Sequence, residues 1–69
     1  MANPLRGYRE KHQLSQEQLA DKLGISRAMV GMLENGERRY TVDMALRIED
    51  RLGINRVLLL PNLFRRRAA

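Results

Sequence analysis

Few side chains in this sequence are of the types that catalyse reactions or bind metal ions. His12 is the single histidine among 69 residues, and no cysteine is present to join it as a ligand or nucleophile. Two pairs of acids have cations close to them in the sequence. Glu17 and Asp21 lie beside Lys22. Glu49 and Asp50 lie between Arg47 and Arg51. We interpret these acids as members of ordinary surface ion pairs rather than as a general acid and base. The sequence therefore predicts no enzymatic activity, no bound metal and no cofactor.

The charge balance favours an anionic partner. Lys and Arg number 13 against 8 Asp and Glu, which gives a net charge of +5. Residues 65–67 are three consecutive arginines, so the charge over the rest of the chain is smaller. The positions of the cations therefore carry more information than their total.

A length of 69 residues allows one small domain. The longest aliphatic run is Val57-Leu58-Leu59-Leu60, far short of a membrane span, and the first 14 residues do not resemble a signal peptide. These features predict a cytoplasmic protein.

Five short helices are predicted from their start and stop signals. A capping residue is followed four places later by an apolar residue in Ser15/Leu19, Ser26/Val30, Thr41/Ala45 and Asn55/Leu59, and an apolar residue precedes each cap. This is the pattern of a capped helix with a hydrophobic staple, and Gln18 completes a capping box with Ser15. Asn3-Pro4 marks a further start, and Gly24, Gly36, Gly53 and Pro61 mark stops. The predicted helices are 4–12, 16–23, 27–35, 42–52 and 56–60.

The connection between the second and third predicted helices has the length of a helix-turn-helix. Only residues 24–26 separate the two helices, and Ile25 is expected to point inward at the corner, on the same side as Val30 and Leu33. The opposite face of the third helix carries two small residues, one thioether, one cation and one amide: Arg27, Ala28, Gly31, Met32 and Asn35. A face this flat, with a long cation at its N-terminal end, is suited to entering a groove.

Three stretches at fixed mutual spacing carry a family resemblance. They are SQEQLA at 15–20, LGIS at 23–26 and LENG at 33–36. Together they resemble the phage-repressor and Cro-like helix-turn-helix family over residues 3–60. The resemblance implies an all-α, compact five-helix, lambda-repressor-like DNA-binding domain over residues 1–63, with the helix-turn-helix at 16–35. It also implies that helix 27–35 lies in the major groove. Residues 64–69 are expected to form a flexible basic tail.

The resemblance also implies roles for individual residues. Base reading is assigned to Arg27, Ala28, Gly31 and Met32, and phosphate contact to Gln16, Ser26, Asn35, Arg38 and Arg39. Glu34 corresponds to the family's buried acid, which pairs with an arginine of the first helix, here Arg9. The chemistry agrees at Arg27, whose guanidinium can donate two hydrogen bonds to guanine. Glutamines and serines, frequent at the family's reading positions, are missing here, so direct readout is thin and DNA shape is expected to contribute.

The last apolar segment has more apolar side chains than one short helix can bury. We expect some of them to form a dimer interface, and the set assigned to it is Ile54, Val57, Leu58, Leu60, Leu63 and Phe64. The resemblance implies dimerisation through the same end. A two-fold dimer would bind a roughly palindromic operator with its recognition helices about 34 Å apart.

The sequence thus predicts a homodimeric, sequence-specific transcriptional regulator, by default a repressor, which is associated with the nucleoid when it is bound to DNA. One alternative is an antitoxin, whose apolar C-terminal segment would bind a toxin. Another is a restriction-modification controller that contacts RNA polymerase. A membrane-surface role for Leu63, Phe64 and the arginine run is a weaker alternative.

Overall fold

The computed structural model describes residues 3–60 and contains five α-helices in that range. They are α1 (Pro4–Lys11), α2 (Gln16–Leu23), α3 (Arg27–Asn35), α4 (Val42–Leu52) and α5 (Arg56–Leu59). No strand occurs among these residues, so the all-α prediction is confirmed for them. None of the five helices has the length and apolar character needed to cross a membrane. Pro61, Leu63, Phe64 and the arginine run lie outside the described residues.

Each helix begins at its predicted cap. Asn3, Ser15, Ser26, Thr41 and Asn55 each accept a hydrogen bond from the first turn of the helix that follows. At α2 the capping box is complete, because Gln18 N–H donates to Ser15 Oγ at 3.0 Å and Ser15 N–H donates to Gln18 Oε1 at 2.8 Å. The apolar residue four places after the cap is buried in all four stapled helices: Leu19, Val30, Ala45 and Leu59. The position of each cap therefore predicts one residue on the buried face of the helix that follows.

The predicted ends of α1 and α5 are each one residue too long. His12 and Leu60 are the C-caps of these helices and do not belong to their last turns. After His12 the chain turns at Gln13, which adopts a left-handed φ of 56° and lets Leu14 N–H donate to Arg9 O at 2.9 Å. A glycine usually occupies this position at a helix end, and its absence concealed the boundary.

The left-handed backbone at Gln13 predicts a stabilising substitution. We expect Gln13→Gly to raise the free energy of unfolding by about 1 kcal/mol, because a side chain in this conformation is sterically disfavoured. Chemical denaturation followed by circular dichroism measures the change. Lys11→Gly is the control and should lower stability, since Lys11 lies in α1 with helical backbone. A loss of stability in Gln13→Gly would contradict the expectation.

Residues 3–39 form the first of two structural units and contain α1, α2 and α3. The apolar side chains buried in this unit are Leu5, Leu19, Ala20, Leu23, Val30 and Leu33. Ile25, which was expected to point inward at the corner, is half-buried. Its backbone N–H closes the end of α2 by donating to Ala20 O at 3.1 Å.

Residues 40–60 form the second unit and contain α4 and α5. Ala45, Ile48 and Leu59 are its buried apolar residues. Glu49 pairs with Arg56, with 3.0 Å between Oε1 and Nε, and its other oxygen accepts the backbone N–H of Arg56 at 3.2 Å. The sequence had suggested Arg47 or Arg51 as the partner. The observed pairing attaches the first turn of the four-residue α5 to α4.

Candidate nucleic-acid interface

Helix α3 has one buried face and one accessible face. Val30, Leu33 and Glu34 are buried. Among the residues predicted to face outward, Arg27, Ala28 and Asn35 are exposed, whereas Gly31 and Met32 are half-buried. The structure therefore brings together, on one accessible face of the helix, the residues to which base reading had been assigned.

The beginning of α3 is fixed by its cap. Ser26 Oγ accepts the backbone N–H of Met29 at 3.0 Å. The first turn contains no acidic residue, so the guanidinium of Arg27 has no opposite charge on its own turn. The helix N-terminus contributes a further partial positive charge. The first turn of α3 thus combines an exposed cation with the positive end of the helix dipole.

The position of α3 is fixed by a buried ion pair. Arg9 donates two hydrogen bonds to Glu34, at 2.7 Å from Nε to Oε2 and at 3.1 Å from Nη2 to Oε1. The Glu34 side chain is only 2% exposed, and a third hydrogen bond from Arg9 reaches Leu14 O at 3.1 Å. The hydrogen bond to Glu34, reinforced by its charge and opposed by burial, raises the pKa of Arg9 above its ordinary value. The pair attaches α1 to the last turn of α3.

Gln16 joins the same network. Its Nε2 donates to Glu34 Oε1 at 3.3 Å, and a β-carbon built on Gly31 would lie 3.8 Å from that nitrogen. Gln16 is the first residue of α2, so this contact attaches α2 to α3 beside the accessible face. The spacing of 18 residues between Gln16 and Glu34 gave no signal of this hydrogen bond, and sequence reasoning had assigned only a phosphate contact to Gln16.

Asn3 is a second residue whose contact with α3 was missed. Its Nδ2 donates to the carbonyl oxygen of Leu33 at 2.9 Å. The sequence identified Asn3 as a helix cap, but the amide donor of the same side chain reaches a residue 30 positions away. Capping alone needs only the side-chain oxygen.

The segment after α3 presents two arginines. Gly36 takes a left-handed φ of 78°, and the N–H groups of Glu37 and Arg38 both donate to Met32 O, at 2.9 and 3.3 Å. Arg38 and Arg39 are exposed at the end of this turn. Two flexible cations beside the accessible face of α3 are suited to contacting a phosphate backbone.

Comparison with known proteins identifies the family. The sequence profile of the helix-turn-helix family matches residues 5–59. The chain belongs to that family, in its phage-repressor and Cro type. Its members are DNA-binding transcriptional regulators. In this motif α2 is the first helix and α3 is the second, the one that follows the turn.

Two archaeal proteins are similar to this helix-turn-helix chain, and both are named as HTH-type transcriptional regulators. The relative from Methanocaldococcus jannaschii is 39% identical over 54 residues, covering 78% of the chain and 82% of that protein. The relative from Pyrococcus furiosus is 44% identical over 46 residues, covering 67% of the chain but 15% of its own length. No solved structure gives a significant match.

The helix-turn-helix chain also exposes apolar side chains in its second unit. Leu58 is 62% exposed, whereas Ile54, Val57 and Leu60 are half-buried. Leu63 and Phe64, assigned to the same surface, lie outside the described residues. Val42 and Leu46, which the sequence did not single out, are 42% and 38% exposed and share a face of α4.

The described residues contain no group of three or more His, Cys, Asp or Glu side chains arranged to hold a metal ion. Among the acids of the described residues, Glu34 is paired with Arg9 and Glu49 with Arg56.

Proposed function

We propose that this chain is a sequence-specific regulator that inserts the accessible face of α3 into the major groove of DNA. The observation that carries the proposal is the division of α3 into a buried face, anchored through Glu34, and a face that presents Arg27 and Ala28. Because the Arg9–Glu34 ion pair attaches the buried face of α3 to α1, the accessible face is presented in one orientation. Such preorganisation favours binding, because little conformational freedom remains to be lost.

The chemistry of the accessible face assigns different tasks to its residues. Arg27 can donate two parallel hydrogen bonds to O6 and N7 of a guanine, which distinguishes a G·C pair from the other pairs. Ala28, Gly31 and Met32 have no side-chain donors, so they contribute apolar contact with thymine methyl groups or permit close approach. With a single strong base donor on the face, sequence-dependent DNA shape supplies part of the specificity.

Phosphate contacts border this face in the proposal. The residues assigned to them are Gln16, Ser26, Asn35, Arg38 and Arg39. Arg38 and Arg39 supply charge, whereas Gln16 and Ser26 lie at the N-terminal ends of α2 and α3, where the helix dipole favours an anion. Such contacts set register on the duplex without reading sequence.

The functional unit in the proposal is a homodimer on a roughly palindromic operator. The high exposure of Leu58 supports an interface formed with Ile54, Val57 and Leu60, and with Leu63 and Phe64 beyond the described residues. Two copies related by a two-fold axis would contact half-sites about one helical turn apart. Repression follows as the default mechanism, because a dimer bound over a promoter excludes polymerase. No enzymatic step is required.

The dimer proposal predicts the effect of truncating Leu58. We expect Leu58→Ala to weaken dimerisation about tenfold, because burial of this side chain between two copies is lost. Sedimentation equilibrium measures the dissociation constant of the dimer. Leu46→Ala is the control, since it removes the same atoms from an exposed site on α4 outside the proposed interface. Equal dissociation constants for Leu58→Ala and the unaltered protein would contradict the assignment, and so would an unaltered protein that is monomeric at all concentrations.

Selection of binding sites from a random pool of duplexes tests the proposed function. We expect one enriched motif with two-fold symmetric half-sites, a guanine in each half-site, and an affinity that falls steeply as salt rises. Purified protein and a pool with about 25 randomised base pairs, enough for two half-sites one turn apart, are sufficient. A pool that shows no enrichment over input, at low as well as moderate salt, would contradict sequence-specific binding.

A further inference from the structure

Asn3 joins the beginning of α1 to the end of α3 through one side chain. Its Oδ1 accepts the backbone N–H groups of Leu5 and Arg6, at 2.9 and 3.1 Å, and so caps α1. Its Nδ2 donates to Leu33 O at 2.9 Å. Leu33 lies in the last turn of α3, whose carbonyl oxygens find no backbone N–H donor further along the same helix. The two halves of the amide thus serve two different helices.

The last turn of α3 in turn holds the segment that carries the arginines. Met32 O accepts the N–H groups of Glu37 and Arg38, and Leu33 O accepts the N–H of Gly36 at 3.4 Å. Leu33 O is therefore shared between the turn after α3 and the amide of Asn3. Since the hydrogen bond from Asn3 is the shorter of the two, it is the stronger constraint on this carbonyl group.

We propose that Asn3 is a positioning residue for DNA binding, whose amide donor keeps the last turn of α3 in the orientation that lets Asn35, Arg38 and Arg39 reach phosphates. The inference rests on the proposed function of α3. Arg9 contacts the last turn of α3 through the side chain of Glu34. Asn3 instead donates to a main-chain carbonyl of that turn, just before the segment 36–39 that contains Arg38 and Arg39. Loss of the donor alone therefore loosens that segment and leaves the ion pair in place.

The test separates the donor from the cap. Asn3→Ser retains an oxygen that caps helices as well as asparagine does, adds no charge and removes the amide donor. Asn55→Ser is the matched control, because Asn55 caps α5 through Oδ1 to Val57 N–H at 2.9 Å in the other structural unit. Both variants are titrated with the selected operator at several salt concentrations, and their thermal unfolding is recorded.

We expect Asn3→Ser to weaken operator binding about three- to tenfold, which corresponds to the loss of one hydrogen bond. The slope of log affinity against log salt should also fall by about one phosphate contact. Asn55→Ser should leave affinity and slope unchanged. The slope is decisive, because a smaller folded fraction would lower all affinities alike without changing the number of phosphates contacted.

Three results would overturn the inference. They are an affinity for Asn3→Ser equal to that of Asn55→Ser, a lowered affinity with an unchanged salt slope, and a lowered slope in both variants. If Asn3→Ser does not fold, Asn3→Asp replaces it, with Asn55→Asp as its control. Amide hydrogen exchange is then measured at Glu37 and Arg38. We expect faster exchange at these two residues in Asn3→Asp but not in Asn55→Asp. Equal exchange would overturn the inference. Absence of any selected motif with the unaltered protein would instead contradict the proposed function.

Discussion

We expect Arg9→Met to lower the free energy of unfolding by about 3–5 kcal/mol, the range typical for removing one partner of a buried ion pair. The loss is large because the side chain of Glu34 is 2% exposed and, among the hydrogen bonds described for residues 3–60, would keep the one from Gln16 alone. A buried carboxylate without its cation is poorly solvated. Urea denaturation followed by circular dichroism measures the change, and a domain of this size has little stability to spare.

Arg6→Met is the control for this prediction. Arg6 pairs with Glu10 at 3.3 Å within α1, but the two side chains are 55% and 61% exposed. An exposed pair contributes less than about 1 kcal/mol, so this variant should unfold almost as the unaltered protein does. If the two substitutions lowered stability equally, the structural importance assigned to Glu34 would be wrong. The double variant Arg9→Met with Glu34→Leu should recover most of the loss, because no buried charge remains.

The contribution of Arg9 to the pH dependence of stability follows from the direction in which its pKa is shifted. The hydrogen bond to Glu34 raises the pKa of Arg9, so the folded state binds the proton more tightly than the unfolded state does. The resulting stabilisation is fully present below the unfolded-state pKa of arginine and is lost only as pH rises through the raised value. Stability measured through neutral and mildly alkaline pH should therefore show no loss that arises from Arg9.

We expect Arg27→Ala to reduce discrimination at one base pair of each half-site by about 1–3 kcal/mol while binding to unrelated DNA is nearly retained. The reason is the exposed position of Arg27 on the first turn of α3, where its guanidinium can reach a base edge. Titration of the selected operator and of its single-base variants, at one fixed salt concentration, measures the discrimination.

Arg51→Ala is the control for charge. It removes the same charge from α4, so it should lower the affinity for all duplexes by similar factors and leave the base preference as it was. A base preference in Arg27→Ala identical to that of the unaltered protein would contradict the assignment of base reading to Arg27.

The helices could be predicted from the sequence because their signals are local. Ser15 with Gln18, and each cap with the apolar residue four places later, interact within one turn, and the structure contains every one of these starts. The end of α1 was misplaced because Gln13 adopts a conformation for which its residue type gives no signal. Local patterns are informative only where residue type and backbone conformation agree.

The contacts that position α3 could be predicted only in part. The pairing of Arg9 with Glu34 was suggested by family resemblance, whereas the hydrogen bonds from Gln16 to Glu34 and from Asn3 to Leu33 were not expected. Such contacts join residues 18 to 30 positions apart, so no periodicity in the sequence reports them. They depend on the packing of three helices, which a pattern along one chain does not specify.

The contact between α3 and a base edge is tested most directly by a double-mutant cycle. Arg27→Ala is combined with an operator in which the guanine assigned to Arg27 is replaced by 7-deazaguanine, which lacks the N7 acceptor in the major groove. If Arg27 contacts this guanine, each single change weakens binding, and the combined change costs about 1–3 kcal/mol less than the sum of the two. Fully additive effects would show that Arg27 does not contact that guanine and would contradict base reading by α3.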